Sequence, residues 1–449
     1  MANLRYEDIP EAARHRIKLL ILDSLGCALY ARDLQWSRIL RDTLLEVDSS
    51  RQCAVWGTAA RLSSVHAALC NGTQVQGFEL DDVHREGVVH VGAVTLPPII
   101  AIAETRQGRS GKELLAAAVA GYEIGPRVGM CMAPYHLEQG WHTGATVGVF
   151  SAAAGAARAL RLSEEQTVHA IGMAGTQASG LMAAQFGSMV KRMHAGRAAQ
   201  SGLYAALLAE RGFTGIIDVF EAKYGGFCTT FSASRDHFEL ERLTRGLGED
   251  FEVMRVSLKL YSCVASNHTT LDAIRALQAE RPFGPDDVDR IIVHGSRATV
   301  EHVGWRYRPE GVTASQLNLP FCVATLLLEG DCFVEQFSEA VVANPRRMEL
   351  AARVECVEDQ AITALGADMR HMVRVEVYLK DGSILRRTVE KAQGSEDRFP
   401  SDDVIVGKFR KLAAKALSEE QAARLAAMVL NLEDVADGGE LARLLVPTG

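Results

Sequence analysis

Histidines, lysines and carboxylates recur beside glycines in separate segments of this chain, and together they supply the parts of an acid–base site. The first segment is Glu79-Leu80-Asp81-Asp82-Val83-His84, followed by Val89-His90-Val91-Gly92. Gly140-Trp141-His142-Thr143-Gly144 comes next, then Gly187-Ser188-Met189-Val190-Lys191-Arg192-Met193-His194-Ala195-Gly196. The last is Lys259-Leu260-Tyr261-Ser262-Cys263, with His268 soon after. Glycine lets backbone or ligand approach closely. A fold that gathers these segments therefore makes a cationic cleft with several proton-transfer groups, suited to a small polycarboxylate.

Each group has a structural alternative. Glu79, Asp81 and Asp82 repel one another unless they are paired, so His84, His90 or nearby lysines are suitable partners. The alternative is a helix cap or a neutralised buried histidine. His142 stands at an expected helix start, where an imidazole can face a ligand anion; otherwise it is a satisfied core histidine. Lys191, Arg192 and His194 lie between Gly187 and Gly196. A lysine there binds a carboxylate as a point charge or, desolvated, moves a proton near neutral pH. The alternative is a solvated basic turn. Lys259, Tyr261 and His268 form the last group, and Cys263 among them lacks any nucleophile signature.

Other chemistries lack their motifs. There is no His-Glu-x-x-His, and the His84 to His90 spacing is not a zinc spacing, so no metal is expected. Neither phosphate-binding glycine motif occurs, nor a Gly-x-Ser-x-Gly elbow. Acid–base chemistry without a cofactor is what remains.

A formal net charge of −8 argues against a nucleic-acid partner. With 48% hydrophobic and 23% charged residues, the 449-residue chain can bury a large core. The nine cysteines include no Cys-x-x-Cys and read as single buried thiols in a reducing compartment. The N-terminus lacks an apolar signal region, and no stretch is apolar for long enough to span a membrane. A cytoplasmic, soluble protein is the expectation.

The elements that must position these residues are mostly helices. Residues 10 to 265 read as helix after helix, with Pro10 ahead of an apolar-periodic run from Ala12 to Cys27. Ser163-Glu-Glu-Gln166 is a capping box, and the same residues recur at Ser418 to Gln421. From about 270 the pattern changes. Val288 to His294 reads as a strand, and Val373 to Leu379 with Ile384 to Val389 reads as a hairpin turning at Asp381-Gly382. Helical segments at Leu317 to Glu329 and Phe337 to Val342 lie between them. The fold expected is mainly α with α+β content. A large all-helical domain takes residues 1–268 and 400–449, and a smaller α/β domain takes 269–399.

Taken in order, these segments resemble the MmgE/PrpD family, whose members include 2-methylcitrate dehydratase, cis-aconitate decarboxylase and iminodisuccinate epimerase. The resemblance runs from Ile21-Leu-Asp-Ser-Leu-Gly-Cys27 to Lys408-Phe409. Its most specific part lies between Gly140 and Gly215, including Gly172-Met-Ala-Gly-Thr-Gln-Ala-Ser-Gly180 and Lys191-Arg-Met-His-Ala-Gly196. Asp81-Asp82 with His90, Leu258-Lys-Leu-Tyr-Ser-Cys263 with His268, and Gln316-Leu-Asn-Leu-Pro-Phe321 also match. The resemblance implies a homodimer, no metal or organic cofactor, and an active site in the cleft between the large helical domain and the smaller α/β lid domain. It implies Asp81, His90, His142, Lys191 and Lys259 as catalytic residues, with Glu79, Asp82, His84, Arg192 and His268 contacting substrate. Lys191 and Lys259 would hold substrate carboxylates, and His90 and His142 would donate and accept protons. A carboxylate of the first segment would orient His90.

The chain also departs from the family pattern. Glu79 stands where many members have aspartate, Val83 where threonine is frequent, and Val91 and Ala195 where proline is usual. Phe321 replaces a frequent tyrosine. Two substrate hydrogen bonds from hydroxyls are thereby lost, which counts against a standard 2-methylcitrate dehydratase or cis-aconitate decarboxylase. The first expectation is dehydration of a hydroxy di- or tricarboxylate after α-proton removal. Epimerisation through the same proton removal is second, and decarboxylation third. A non-catalytic carboxylate binder on the same scaffold would not need both His90 and His142.

Overall fold

Short polar side chains and proline set many of the helix starts. The computed structural model describes residues 1–185, 188–366 and 368–448, and is 56% helix and 8% strand. Pro10 precedes α1 (Glu11–Ala31), which is buried along most of its length. Then come α2 (Ser64–Val75), α3 (Val91–Thr105) and α4 (Gly111–Met132). Ser110 and Glu113 exchange side-chain-to-amide bonds at the start of α4. After α5 (Gly148–Leu160), the Ser163/Gln166 box opens α6 (Glu164–Gly175), and α7 (Val190–Glu210) follows.

The expected succession of helices holds as far as Glu210 but not beyond it. Between Arg211 and Asn267 the chain forms one five-residue helix (Phe227–Phe231), three-residue-per-turn segments and the two-residue strand Val256–Ser257. Gly212, Gly215, Gly225, Gly226, Gly246 and Gly248 interrupt this region, and glycine costs about 1 kcal/mol per helical position relative to alanine. Val256–Ser257 pairs antiparallel with Val83–His84, tying the Lys259 segment to the Glu79 segment.

The helices pack through small residues. α4 lies on α5, and α7 crosses both α2 and α5. A Cβ on Gly72 would sit 2.8 Å from the Gly196 Cα, so α2 and α7 meet backbone to backbone only because both positions are glycine. That contact sets the depth at which α7 carries Lys191 and Arg192.

The remainder contains α8 (His268–Glu280), β1 (Val288–Gly295), α9 (Arg297–Val303), α10 (Leu319–Glu329), β2 (Val354–Glu358), β3 (Val373–Leu379) and β4 (Ile384–Val389). The sheet order is β2-β1-β3-β4, with β2 parallel to β1 and the other pairs antiparallel. The β3–β4 hairpin turns through Gly382 at φ +88, as its Asp-Gly pair requires. β2 carries no signal of its own, because five residues without clean alternation need β1 as a partner. α11 (Asp402–Ala413) and α12 (Glu419–Leu430) return to pack on α1.

Two apolar cores result. One joins α1 to α7 with Ile405, Phe409 and Leu425 of the returning helices. The other lies under the sheet and includes Ile274, Val293, Phe321, Val375 and Val377. Phe78 and Leu80 are buried in this second core, so Glu79 between them is held where the two cores meet. Among the described residues no helix is long and apolar enough to cross a membrane.

Candidate active site

The site is built around the Glu79 carboxylate. Glu79 has φ +56, a left-handed conformation that costs a residue with a side chain about 1–3 kcal/mol. Burial of its neighbours Phe78 and Leu80 over-determines that turn. The carboxylate accepts from Lys191 Nζ, from Arg192 Nη1 at 2.6 Å and from Lys259 Nζ at 3.2 Å. Only 3% of Glu79 is exposed. Burial opposes its ionisation, but the two lysines and Arg192 outweigh burial and hold it well below the usual carboxylate range. Burial lowers the Lys191 pKa, with Arg192 adding to the effect and Glu79 opposing it. For Lys259 burial is outweighed by Glu79 and Asp81, and its pKa rises. Three cations thus share one protein carboxylate, leaving a local excess of positive charge in a site shielded from water.

Two histidine pairs border this centre. His90 Nδ1 lies 2.9 Å from the Asp82 carbonyl oxygen and 3.0 Å from Asp81 Oδ2. The ring is thereby oriented, and Asp81, fully buried, supplies a counter-charge. Burial raises the Asp81 pKa, but His90 and Lys259 outweigh it and the group is held below its ordinary value. His142 precedes the short turn Thr143–Thr146, and its amide donates to the Gly180 carbonyl. Its Nδ1 lies 3.0 Å from Nδ1 of His194, one turn along α7 from Lys191. Burial, then the charge of Lys191, lowers the pKa of both rings, so both are neutral at pH 7.

Not every expected residue faces this centre. Asp82 accepts from Tyr122 Oη at 2.6 Å and from the Gly92 amide at 3.0 Å. It acts as a strut at the start of α3. Burial pushes its pKa up to about 7. A side chain at Gly92 would collide with Ser24 and Tyr122, so only glycine lets this strut form. His84 is also turned to structure: Nε2 lies 3.1 Å from Glu252, and Nδ1 accepts from the Gly87 amide. His268 lies edge-on to Tyr261 with Nε2 3.2 Å from the Cys263 carbonyl, beside Lys259 but without contact to Glu79. Gly187, one of the glycines bracketing the Lys191 segment, lies outside the described residues.

Other supporting residues gave no chemical signal of their own. Lys408 on α11 donates to the carbonyls of Leu80 and Lys259, both at 2.8 Å, and pairs with Asp23 at 2.6 Å. It pins the backbone on both sides of the site. Gln316 accepts from Arg192 at 3.3 Å and donates to the Phe78 and Ser262 carbonyls at 3.0 Å. Both residues fell within matching segments, yet their roles depend on partners far away in sequence. The reading of all nine cysteines as isolated thiols needs correction. Cys263, Cys322 and Cys332 bring their sulfurs within 4.8 Å of one another, and Cys322 Sγ is 3.6 Å from the Ser315 carbonyl. Their three sulfurs are the described group with metal-ligand spacing, in the core beneath the sheet.

Comparison with known proteins finds relatives along nearly the whole chain. Residues 1–239 match the model of the MmgE/PrpD N-terminal domain, and residues 261–434 that of the MmgE/PrpD C-terminal domain. The chain is 34% identical to the cis-aconitate decarboxylase-like protein oryM of Aspergillus oryzae, over 99% of this chain and 95% of that protein. It is 32% identical to a cis-aconitate decarboxylase of Aspergillus terreus, over 99% and 94% of the two chains. Similarity to a mitochondrial 2-methylcitrate dehydratase of Yarrowia lipolytica is lower, 22% identity over 85% of this chain and 76% of that one.

Proposed function

The chain belongs to the MmgE/PrpD family, and on that premise we propose that it is a lyase that decarboxylates an unsaturated tricarboxylate of the cis-aconitate kind. The observation that carries this reading is the convergence of Lys191, Arg192 and Lys259 on one carboxylate, flanked by neutral His142 and by His90. A cation trio that holds Glu79 can hold a substrate carboxylate in the same way. Similarity to the decarboxylases named above extends over nearly the whole chain, which favours decarboxylation over the dehydration expected first.

The chemistry follows from charge. When the carbon–carbon bond to a carboxylate breaks and carbon dioxide leaves, the electron pair moves into the neighbouring carbon–carbon double bond. Negative charge then builds toward the retained carboxylate on that alkene. Fixed cations aimed at that charge lower the barrier. A proton from His90 closes the new carbon–hydrogen bond, a contribution of roughly 10²–10⁴-fold, with neutral His142 as its acid–base partner. No metal or cofactor enters this scheme. Dehydration is the second reading, because the same groups can remove an α-proton and protonate a departing hydroxyl. We place the reaction in a homodimeric protein.

Proton NMR on cis-aconitate, 2-methylcitrate, citrate and an aminodicarboxylate in deuterated buffer tests the proposal. Loss of the cis-aconitate signals with a new terminal alkene and released carbon dioxide supports decarboxylation. Alkene formation from 2-methylcitrate instead would move the assignment to dehydration. Deuterium exchange without alkene would move it to epimerisation.

A further inference from the structure

A chain of hydrogen bonds from Arg85 ends at His302, a histidine open to solvent. Arg85 Nη2 lies 3.4 Å from His371 Nδ1, His371 Nε2 lies 3.2 Å from Ser266 Oγ, and Ser266 Oγ lies 3.3 Å from His302 Nδ1. The direction of this chain is fixed at its start, since arginine only donates. His371 Nδ1 must then accept, and the proton of the neutral ring sits on Nε2 and goes to Ser266. The serine proton goes to His302 Nδ1, so His302 carries its own proton on Nε2. Burial, Arg370 and Arg85 hold the His371 pKa well below its usual value, in keeping with a neutral ring. His302 is exposed, and its Nε2 has no protein partner among the described residues.

Arg370 is the second unused group. It lines a cavity of about 660 Å³ that reaches from Thr143, the residue after His142, to Arg85. The other arginines of this cavity each face a carboxylate. Arg242 pairs with Glu86 and Glu239, Arg255 with Glu252 at 3.5 Å, and Arg85 with Glu396 at 3.7 Å. The Arg370 guanidinium makes one bond, from Nη2 to the Arg85 carbonyl at 3.3 Å, and has no carboxylate within ion-pair distance among the described residues. The Arg370 carbonyl accepts from Ser296 and Thr299 at the start of α9, and His371, next in sequence, bonds the Ser266 hydroxyl that also meets His302, so Arg370 and His302 are tied to one turn.

We infer that His302 and Arg370 form a second anion subsite that takes the substrate carboxylate farthest from Lys191 and Lys259. Arg85, His371 and Ser266 are positioning residues that keep the His302 proton on Nε2. The subsite rests on the polycarboxylate reading above and deepens it. It makes the enzyme a counter of carboxylates: two are held by the α7 side and a third by the α9 side, which selects tricarboxylates over dicarboxylates.

Calorimetric titration with two unreactive probes, tricarballylate (three carboxylates) and glutarate (two), tests this directly. Wild-type protein should bind tricarballylate about tenfold or more tightly than glutarate, the range expected of one added charged hydrogen bond. Arg370→Gln and His302→Gln should each lose most of that advantage while glutarate affinity stays within about twofold. Ser266→Ala should weaken tricarballylate alone, and Ser266→Thr, which keeps the hydroxyl, should restore it. A tricarballylate preference that survives in both Arg370→Gln and His302→Gln overturns the subsite and leaves the polycarboxylate reading standing. Binding of neither probe by wild type overturns that reading, and the subsite with it.

Discussion

Nδ1 of His142 and Nδ1 of His194 stand 3.0 Å apart, so one proton is shared between two neutral rings and each ring fixes the other's tautomer. His142→Gln should cost roughly 10²–10⁴-fold in kcat, the usual contribution of a positioned acid–base group. His194→Ala frees the His142 ring and should lower kcat, whereas His194→Asn keeps a side-chain donor at short reach and should recover part of the loss. Because the His142 pKa is lowered well below 6.5, its neutral form persists on acidification, and kcat/KM should show no His142 limb at that ordinary value. Steady-state kinetics from pH 5 to 8 check both points.

Glu79 is the counter-ion on which Lys191, Arg192 and Lys259 depend. Glu79→Gln leaves them buried without a carboxylate and should destabilise the fold by about 3–5 kcal/mol. The sign with pH follows from the lowered pKa. The stabilisation is fully present above the ordinary value of 4.5 and is lost as pH falls through the lower folded value. Urea denaturation of both proteins should therefore show a gap that is widest at neutral pH and narrows toward strong acid.

Lys191 must be charged to hold a carboxylate, and its pKa is lowered from 10.5 by burial. Raising the pH through this lowered value removes the charge, so kcat/KM should fall on the alkaline side below 10.5. Glu79 raises the Lys191 pKa, so Glu79→Gln should move this limb further toward neutrality. A Lys191→Arg variant, charged throughout, should lack the limb. A pH–rate profile of the three proteins decides it.

Lys408 and Asp23 form a buried pair under the site. Lys408→Met leaves the Asp23 carboxylate unpaired and frees the Leu80 and Lys259 carbonyls, and should cost about 3–5 kcal/mol. Adding Asp23→Asn should recover much of that stability. It should not restore activity, because the backbone beside Lys259 remains unpinned. Thermal melts set beside kcat separate the two effects.

Much of this protein could be read directly from its residues. The capping box at Ser163, the serine cap at Ser418 (where Gln421 turns instead to the C-terminal segment), the Asp381-Gly382 hairpin and the grouping of Glu79, His90, His142, Lys191 and Lys259 rest on local rules or on motif order. The spacing rules are local because a cap, a turn or a helical face is decided within a few residues. What the sequence left open was direction. Asp81 and Asp82 are adjacent and chemically alike, yet one faces His90 and the other braces Tyr122 and Gly92. Nothing in the local pattern separates them, since the choice depends on where α3 and α4 pack. His84 turned away for the same reason, taken up by Glu252 from a segment 168 residues distant. Gln316, Lys408, His302 and Arg370 acquire their places only when the sheet region and the returning α11 close over the helices. An isolated polar residue carries no periodicity, and its role is set by the partners that tertiary packing brings to it.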